Sequence, residues 1–279
     1  MKENFSLGYS PCPNDTFIFS ALAERRIDPA PYDFDIRIAD VEELNRRALE
    51  GRLDISKVST SALLHLLKDY VILRAGGALG RGCGPLVVAR EPFSMADLRD
   101  RTIAIPGKMT TAHMLLQLHG GFRGPRREMS FEKIMPAVAR GDVDAGVIIH
   151  EGRFTYRSLD LHRVLDLGEW WEREKGLPLP LGAIIMKRSH GAKAARGVEE
   201  KIRESLISSM VHPEAPWPYI VAHAQEMEPE VIREHISTFV NDFSLDVGEE
   251  GERAVGVLLD SAARLAGVSL PESPLFRVD

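Results

Sequence analysis

The chain has 279 residues, 44% hydrophobic and 27% charged, a balance that suits a folded globular protein with room for two lobes. Its formal net charge is −6, with lysine and arginine scattered among the acids, so no basic stripe invites a nucleic-acid partner. No segment approaches the roughly 20 apolar residues that span a bilayer, and the opening MKENFSLGYSPCPND lacks an apolar leader core. The expectation is a cytoplasmic protein with no membrane partner. Cys12 and Cys83 form no CxxC pair and are expected to stay reduced there. Cys12, between two prolines, reads as a small packed residue or as a presented thiol.

In chain order, FSLGYS (5–10) reads as a strand, followed by a helix from Asn14, the strand YDFDIRI (32–38) and the helix VEELNRRALEG (41–51). The strand LDISKVS (53–59) and the helix TSALLHLLKDY (60–70) come next. This βαβ alternation predicts a largely parallel sheet with helices on its faces. VILRAGGAL and GPLVVAR (84–90) then read as two strands joined through the glycine-rich GGALGRGCG. A second series contains TIAIPG (102–107), a helix from Thr110 to His119, a helix over FEKIMPAVARG (131–141) and the strand DAGVIIH (144–150). From Ala192 onward the pattern is almost wholly helical.

Two helix–strand junctions echo each other. ALEGRLDISKVS runs from Gly51 through Asp54 to Ser59, and VARGDVDAGVIIH from Gly141 through Asp144 to His150. Each reads as a glycine C-cap, an aspartate and a buried strand. Two lobes of related construction facing a common cleft are predicted, with crossover strands near 87–91 and 183–188. The larger, discontinuous lobe is expected over 1–90 plus 188–279 and the smaller over 91–187. Lobes of this kind close by a hinge around a ligand.

Several catalytic motifs fail. Gly80, Gly82 and Gly84 precede a strand instead of opening a helix, so they make no dinucleotide fingerprint. PGKMTT (106–111) lacks the first glycine of a phosphate loop and has Met109 where Ser or Thr must follow the lysine. The nine histidines show no metal-site spacing, and no G-x-S-x-G elbow is present. No metal and no cofactor are expected.

The surviving candidates sit at strand ends and helix starts. In VIIHEGRF, three aliphatic residues run directly into His150, at the carboxyl end where open α/β folds keep their ligands. A base needs only something to orient it, and histidine suits proton transfer near neutrality. Thr110 and Thr111 stand at a helix N-terminus that serves either as an anion site or as a simple cap. Asn14, with Asp15 and Thr16, stands at another, after SPCP. With Ser10 and Ser59, these groups describe a pocket for a small carboxylated molecule. Arg153 and Tyr156 either assist His150 or decorate a loop, and one ring of Trp170-Trp171 is expected in the core.

Taken together, GYSPCPNDTFIF, LEGRLDISKVS, GGALGRGCGPLVVAR, PGKMTTA, IIHEGRFTY, LGEWWEREKGLPLPLGAI and FSLDVGEEGERAV resemble the 1,4-dihydroxy-6-naphthoate synthase family of the futalosine route to menaquinone, over nearly the whole chain. The resemblance implies a two-lobed α/β fold like that of type II periplasmic binding proteins, with parallel or mixed sheets and a helical C-terminal part. It also implies cleavage of cyclic de-hypoxanthine futalosine, with His150 as base and with Lys57, Val58, Ser59, Thr110 and Thr111 in substrate-contacting segments. A chorismate dehydratase of the same pathway and a transporter's solute-binding protein are the alternatives. The oligomeric state is left open.

Overall fold

The computed structural model describes residues 3–225 and 228–276. In the first half of the chain the strands are β1 (Glu3–Tyr9), β2 (Tyr32–Ile38), β3 (Ile55–Ser59), β4 (Tyr70–Ile72), β5 (Ala78–Gly80), β6 (Leu86–Ala89), β7 (Ile103–Ile105) and β8 (Arg126–Glu128). They are followed by β9 (Ala145–Ile148), β10 (His162–Asp166) and β11 (Leu179–Lys187). The first sheet has the order β2-β1-β3-β11-β4, with β5 also on β11. The second has the order β10-β6-β9-β7-β8. Neighbours joined by helical crossovers are parallel, as with β1 on β2 and β3, while the returning β11 is antiparallel to β3. The result is an α/β molecule with two mixed sheets and a helical C-terminal part.

The exchange between sheets falls one strand earlier at each crossing than the expected boundaries at 90/91 and 187/188. β6 joins the second sheet, with Val87 opposite Val147 of β9, and β11 joins the first, with Ile184 opposite Lys57 of β3. Both are buried aliphatic strands that fit either core, so their pairing partner rather than their pattern decides membership. Gly84 marks the first crossing: a Cβ there would lie 2.3 Å from the Gly168 Cα, so only glycine lets these two segments touch.

The paired junctions have the same construction. Gly51 and Gly141 take positive φ values of 66° and 82°. Asp54 then accepts the Ser6 amide at 3.0 Å and Asp144 the Thr102 amide at 2.9 Å. In each sheet a carboxylate thus ties the start of its strand to the neighbouring strand.

The predicted 60–70 helix is shorter than expected. A 3₁₀ turn at Thr60–Ala62 leads into a helix at Leu63–Leu66, and Tyr70 already opens β4, its hydroxyl donating to the Leu53 carbonyl at 2.7 Å. The Gly248–Ala266 helix links the two halves. Its Ala254, Val255 and Leu259 belong to the core under the first sheet, while Leu258 and Ala262 belong to the core of the second. A fully buried leucine contributes about 1.5–3 kcal/mol, so this helix fastens both sheets by the same hydrophobic means. Trp171 is fully buried in the second core, as expected of one ring of the pair, and its indole N–H donates to the Pro178 carbonyl at 3.1 Å. Among the described residues, no helix is long and apolar enough to cross a membrane.

Candidate active site

A cleft opens between the sheets, and Asn14, Lys57, Val58, Ser59, Thr110, Thr111 and His150 all line it. Residues up to 136 positions apart are thus brought together by strand ends and helix starts. They are not equally free to meet a ligand.

Asp15 is the centre of the first group. It is 1% exposed and accepts from the Ser10 hydroxyl at 2.7 Å, the Ser10 amide at 3.2 Å, the Asn14 amide group at 2.8 Å and the Lys57 ammonium at 2.7 Å. Lys57 also donates to the Gly76 carbonyl at 3.3 Å. A buried ion pair is tolerable only when such additional hydrogen bonds satisfy both charges. Strand alternation puts Lys57 and Ser59 on one face of β3 and sends the Val58 side chain to the other, into the core beside Ala62 and Leu63. Val58 therefore borders the cleft while its side chain packs away from it. The Ser59 hydroxyl is held by the Asn45 amide at 3.2 Å.

Thr110 caps the Thr111–His119 helix, its hydroxyl accepting from the His113 amide at 3.2 Å and donating to the Gly107 carbonyl at 2.8 Å. The Thr111 hydroxyl donates to the Leu181 carbonyl at 2.8 Å and accepts from the Ser61 amide at 3.3 Å. Both threonine hydroxyls are occupied by the protein. What this helix start offers a ligand is its first-turn backbone N–H groups and its positive dipole end.

His150 follows β9 in a left-handed backbone conformation, φ 55°, rare for a residue with a Cβ and costly unless its surroundings enforce it. The turn is closed by the Arg153 amide, which donates to the His150 carbonyl at 3.3 Å. The imidazole packs edge-on against Phe131, centroids 4.8 Å apart, and lies nearly parallel to the His235 ring at 6.4 Å. Its Nδ1 is 3.3 Å from the Cys12 sulfur. Cys12 is the N-cap of the Pro13–Ala23 helix, and burial, followed by the carboxylates of Glu151 and Asp15, pushes its thiol well up. It faces His150 as a neutral S–H, packed rather than presented as a nucleophile.

His235 and Glu151 complete this side. His235, on the Pro229–Phe239 helix, is 1% exposed, and its Nε2 lies 2.9 Å from Asn14 Oδ1. Burial, then the proximity of His150 and Lys57, pushes the His235 imidazole far below its usual range. Glu151, also buried, approaches His235 Nδ1 at 3.5 Å.

A family model described as menaquinone biosynthesis matches residues 5–264. The chain belongs to this menaquinone-biosynthesis family. A 1,4-dihydroxy-6-naphthoate synthase from Thermus thermophilus is 50% identical over 275 residues, covering 98% of this chain and 99% of that protein. The crystal structure of protein AF1704 from Archaeoglobus fulgidus matches with a TM-score of 0.88 at 32% identity, over 95% of this chain and 98% of that one. The periplasmic aliphatic sulphonate binding protein SsuA from Escherichia coli matches with a TM-score of 0.66 at 14% identity, over 96% of this chain and 89% of that one. This last likeness concerns the fold alone, and the fold is the periplasmic-binding-protein-like one that the sequence blocks imply.

Within this family framework, Arg153 lines the cleft but is committed to the Gly84 carbonyl at 2.7 Å and Asp166 at 2.8 Å. Tyr156 is buried in the core on the other face of the second sheet, with Leu86, Val88 and Ala104. His235 and Cys83 also line the cleft, and neither carries a local sequence pattern that marks it as a site residue. His235 had a faint signal, a histidine in the amphipathic EPEVIREHISTF, but nothing local marked its contact with Asn14.

Proposed function

We propose that the chain converts cyclic de-hypoxanthine futalosine to 1,4-dihydroxy-6-naphthoate as a cytoplasmic carbon–carbon lyase, with His150 as general base. The observation that carries this reading is His150 itself, held in a strained turn at the cleft wall between an aromatic edge and a second imidazole. Strain of this kind concentrates where a side chain must be aimed. The 50% identity to a 1,4-dihydroxy-6-naphthoate synthase supports the choice of substrate and product.

In the reaction, His150 removes a proton from the spiro-ring precursor. The electron pair released forms the new ring double bond, the bond to the sugar-derived fragment breaks, and that fragment leaves with the bonding pair and takes up a proton. Electrons balance without a redox partner, and aromaticity of the diol drives the step. No metal or cofactor is needed. The substrate carboxylate would sit at the first turn of the Thr111–His119 helix, in the cleft that Lys57, Ser59 and Asn14 also line. Closure of the cleft would shield the intermediate from water. Two buried free cysteines fit a reducing cytoplasm.

The test is to incubate purified protein with cyclic de-hypoxanthine futalosine, without added metal or nucleotide, and follow naphthoate formation by absorbance and mass spectrometry. Formation of 1,4-dihydroxy-6-naphthoate is expected. Tight binding without product would replace the reading with a solute-binding protein, and turnover of chorismate instead would replace it with a chorismate dehydratase.

A further inference from the structure

Three strand ends of the second sheet meet at one edge. Ile148, the last residue of β9, and Asp166, the last of β10, both stand opposite Leu86, the first of β6. Arg153 lies in the short helix Gly152–Thr155 just beyond β9. Its guanidinium donates to the Gly84 carbonyl at 2.7 Å and to Asp166 Oδ2 at 2.8 Å, and so spans all three ends. Asp166 is a fixed anchor: its side chain is fully buried, and its Oδ1 accepts the Gly168 and Glu169 amides at 2.8 and 3.0 Å. At its other end the same residue closes the His150 turn, the Arg153 amide donating to the His150 carbonyl at 3.3 Å. None of Gly152–Thr155 is buried, so the helix that follows the turn supplies no apolar core to hold it.

We propose that Arg153 is a positioning residue for His150. Its backbone closes the turn that carries the imidazole, and its side chain ties that turn to the entry of β6 and the end of β10. A left-handed residue with a Cβ persists only where its surroundings enforce it. A planar guanidinium held at two points fixes direction as well as distance, which a lysine ammonium does not. Gly84 lies on the crossing between the sheets, so this tie also sets the His150 ring against Cys12 and His235, which come from the first-sheet side of the cleft. Arg163 stands 3.9 Å from the same Asp166 oxygen. Asp166 therefore keeps a counter-ion when Arg153 is replaced, and an Arg153→Gln variant is expected to fold.

This inference rests on His150 as the base, and its test separates the two. Kinetics of naphthoate formation and the histidine Cε1–H resonances of the full chain are measured for wild type, Arg153→Gln and Arg153→Lys. The His150 signal, identified by its loss in His150→Asn, reports the ring's place beside Phe131 and His235. In Arg153→Gln that signal is expected to move while those of the exposed His65 and His212 stay, and kcat is expected to fall on the order of 10²-fold with KM little changed, as for a misaimed group. Arg153→Lys should recover only part of the loss. An unmoved His150 signal would overturn the proposal, as would an unchanged kcat, or a raised KM that makes the guanidinium a substrate contact. If His150→Asn turns over at the wild-type rate, the base assignment fails alone, and the His150 signal in Arg153→Gln still decides whether Arg153 holds the ring. Should Arg153→Gln not fold, Arg153→Lys carries the same comparison.

Discussion

The two walls of the cleft treat buried polar groups in opposite ways. Around Asp15 each group has a partner: the carboxylate receives four donors, Lys57 has Asp15 and a carbonyl, and the backbone is regular helix and strand. Around His150 the backbone is left-handed, a neutral thiol stands against the ring, and His235 Nδ1 has no partner. A saturated network rigidifies, whereas a partly satisfied one persists only where the surroundings over-determine it. The first wall is built to hold a shape, and the second gathers the strained backbone and the unpartnered polar atom.

The sharpest way to test this contrast is His150→Asn. The side chain is half-buried and belongs to neither core, so the variant should fold with a melting temperature near that of the wild type. Loss of a positioned base predicts a fall in kcat of about 10²–10⁴-fold, read as naphthoate formation. Turnover at the wild-type rate would remove His150 from the mechanism, and loss of folding would make it a structural residue.

Lys57→Met attacks the other wall and should show the reverse pattern. It leaves Asp15 charged, buried and without its counter-ion, which predicts a loss of about 3–5 kcal/mol in chemical denaturation. The double variant Lys57→Met with Asp15→Asn should recover more than half of that loss. A single variant as stable as the wild type would show that the pair is not the keystone of this wall.

These walls differ in how much of them could be read from residue order. Ser10, Asn14, Ser59 and His150 were legible because strand ends and helix starts are local patterns, and the Gly51–Asp54 and Gly141–Asp144 echo proved to be one structural device used twice. The Asp15–Lys57 pair, 42 positions apart, and the Asn14–His235 contact, 221 apart, were not legible, because each sits in an ordinary local pattern and only the tertiary fold joins them. Val58 was carried into the site with its neighbours, but the period of two along β3 turns its side chain to the core. The lobe boundaries were missed because strand membership is set by pairing.

Thr111→Val probes the connection between the halves. Valine keeps the shape but removes the hydroxyl that joins the second-sheet helix to the Leu181 carbonyl of β11 and the Ser61 amide. Two buried backbone groups lose a partner, which predicts about 1–3 kcal/mol of lost stability, with KM raised more than kcat is lowered. An unchanged denaturation midpoint would mean that this hydroxyl only fills space.

Cys12 gives the smallest effect and a defined sign. Its thiol ionises less readily in the fold than in the unfolded chain, because burial and the nearby Glu151 and Asp15 carboxylates oppose the thiolate. Above about pH 9 the unfolded chain has released this proton while the folded one retains it, so stability falls as pH rises, by up to about 1.4 kcal/mol per pH unit from this group. Cys83, also buried and pushed up to about 12, adds a similar slope, so Cys12→Ala should flatten the alkaline decline in part. Denaturation midpoints at pH 8, 9 and 10 for both proteins measure the difference. Parallel slopes would mean that Cys12 already ionises in the fold, so that a thiolate rather than a neutral S–H stands beside the His150 ring.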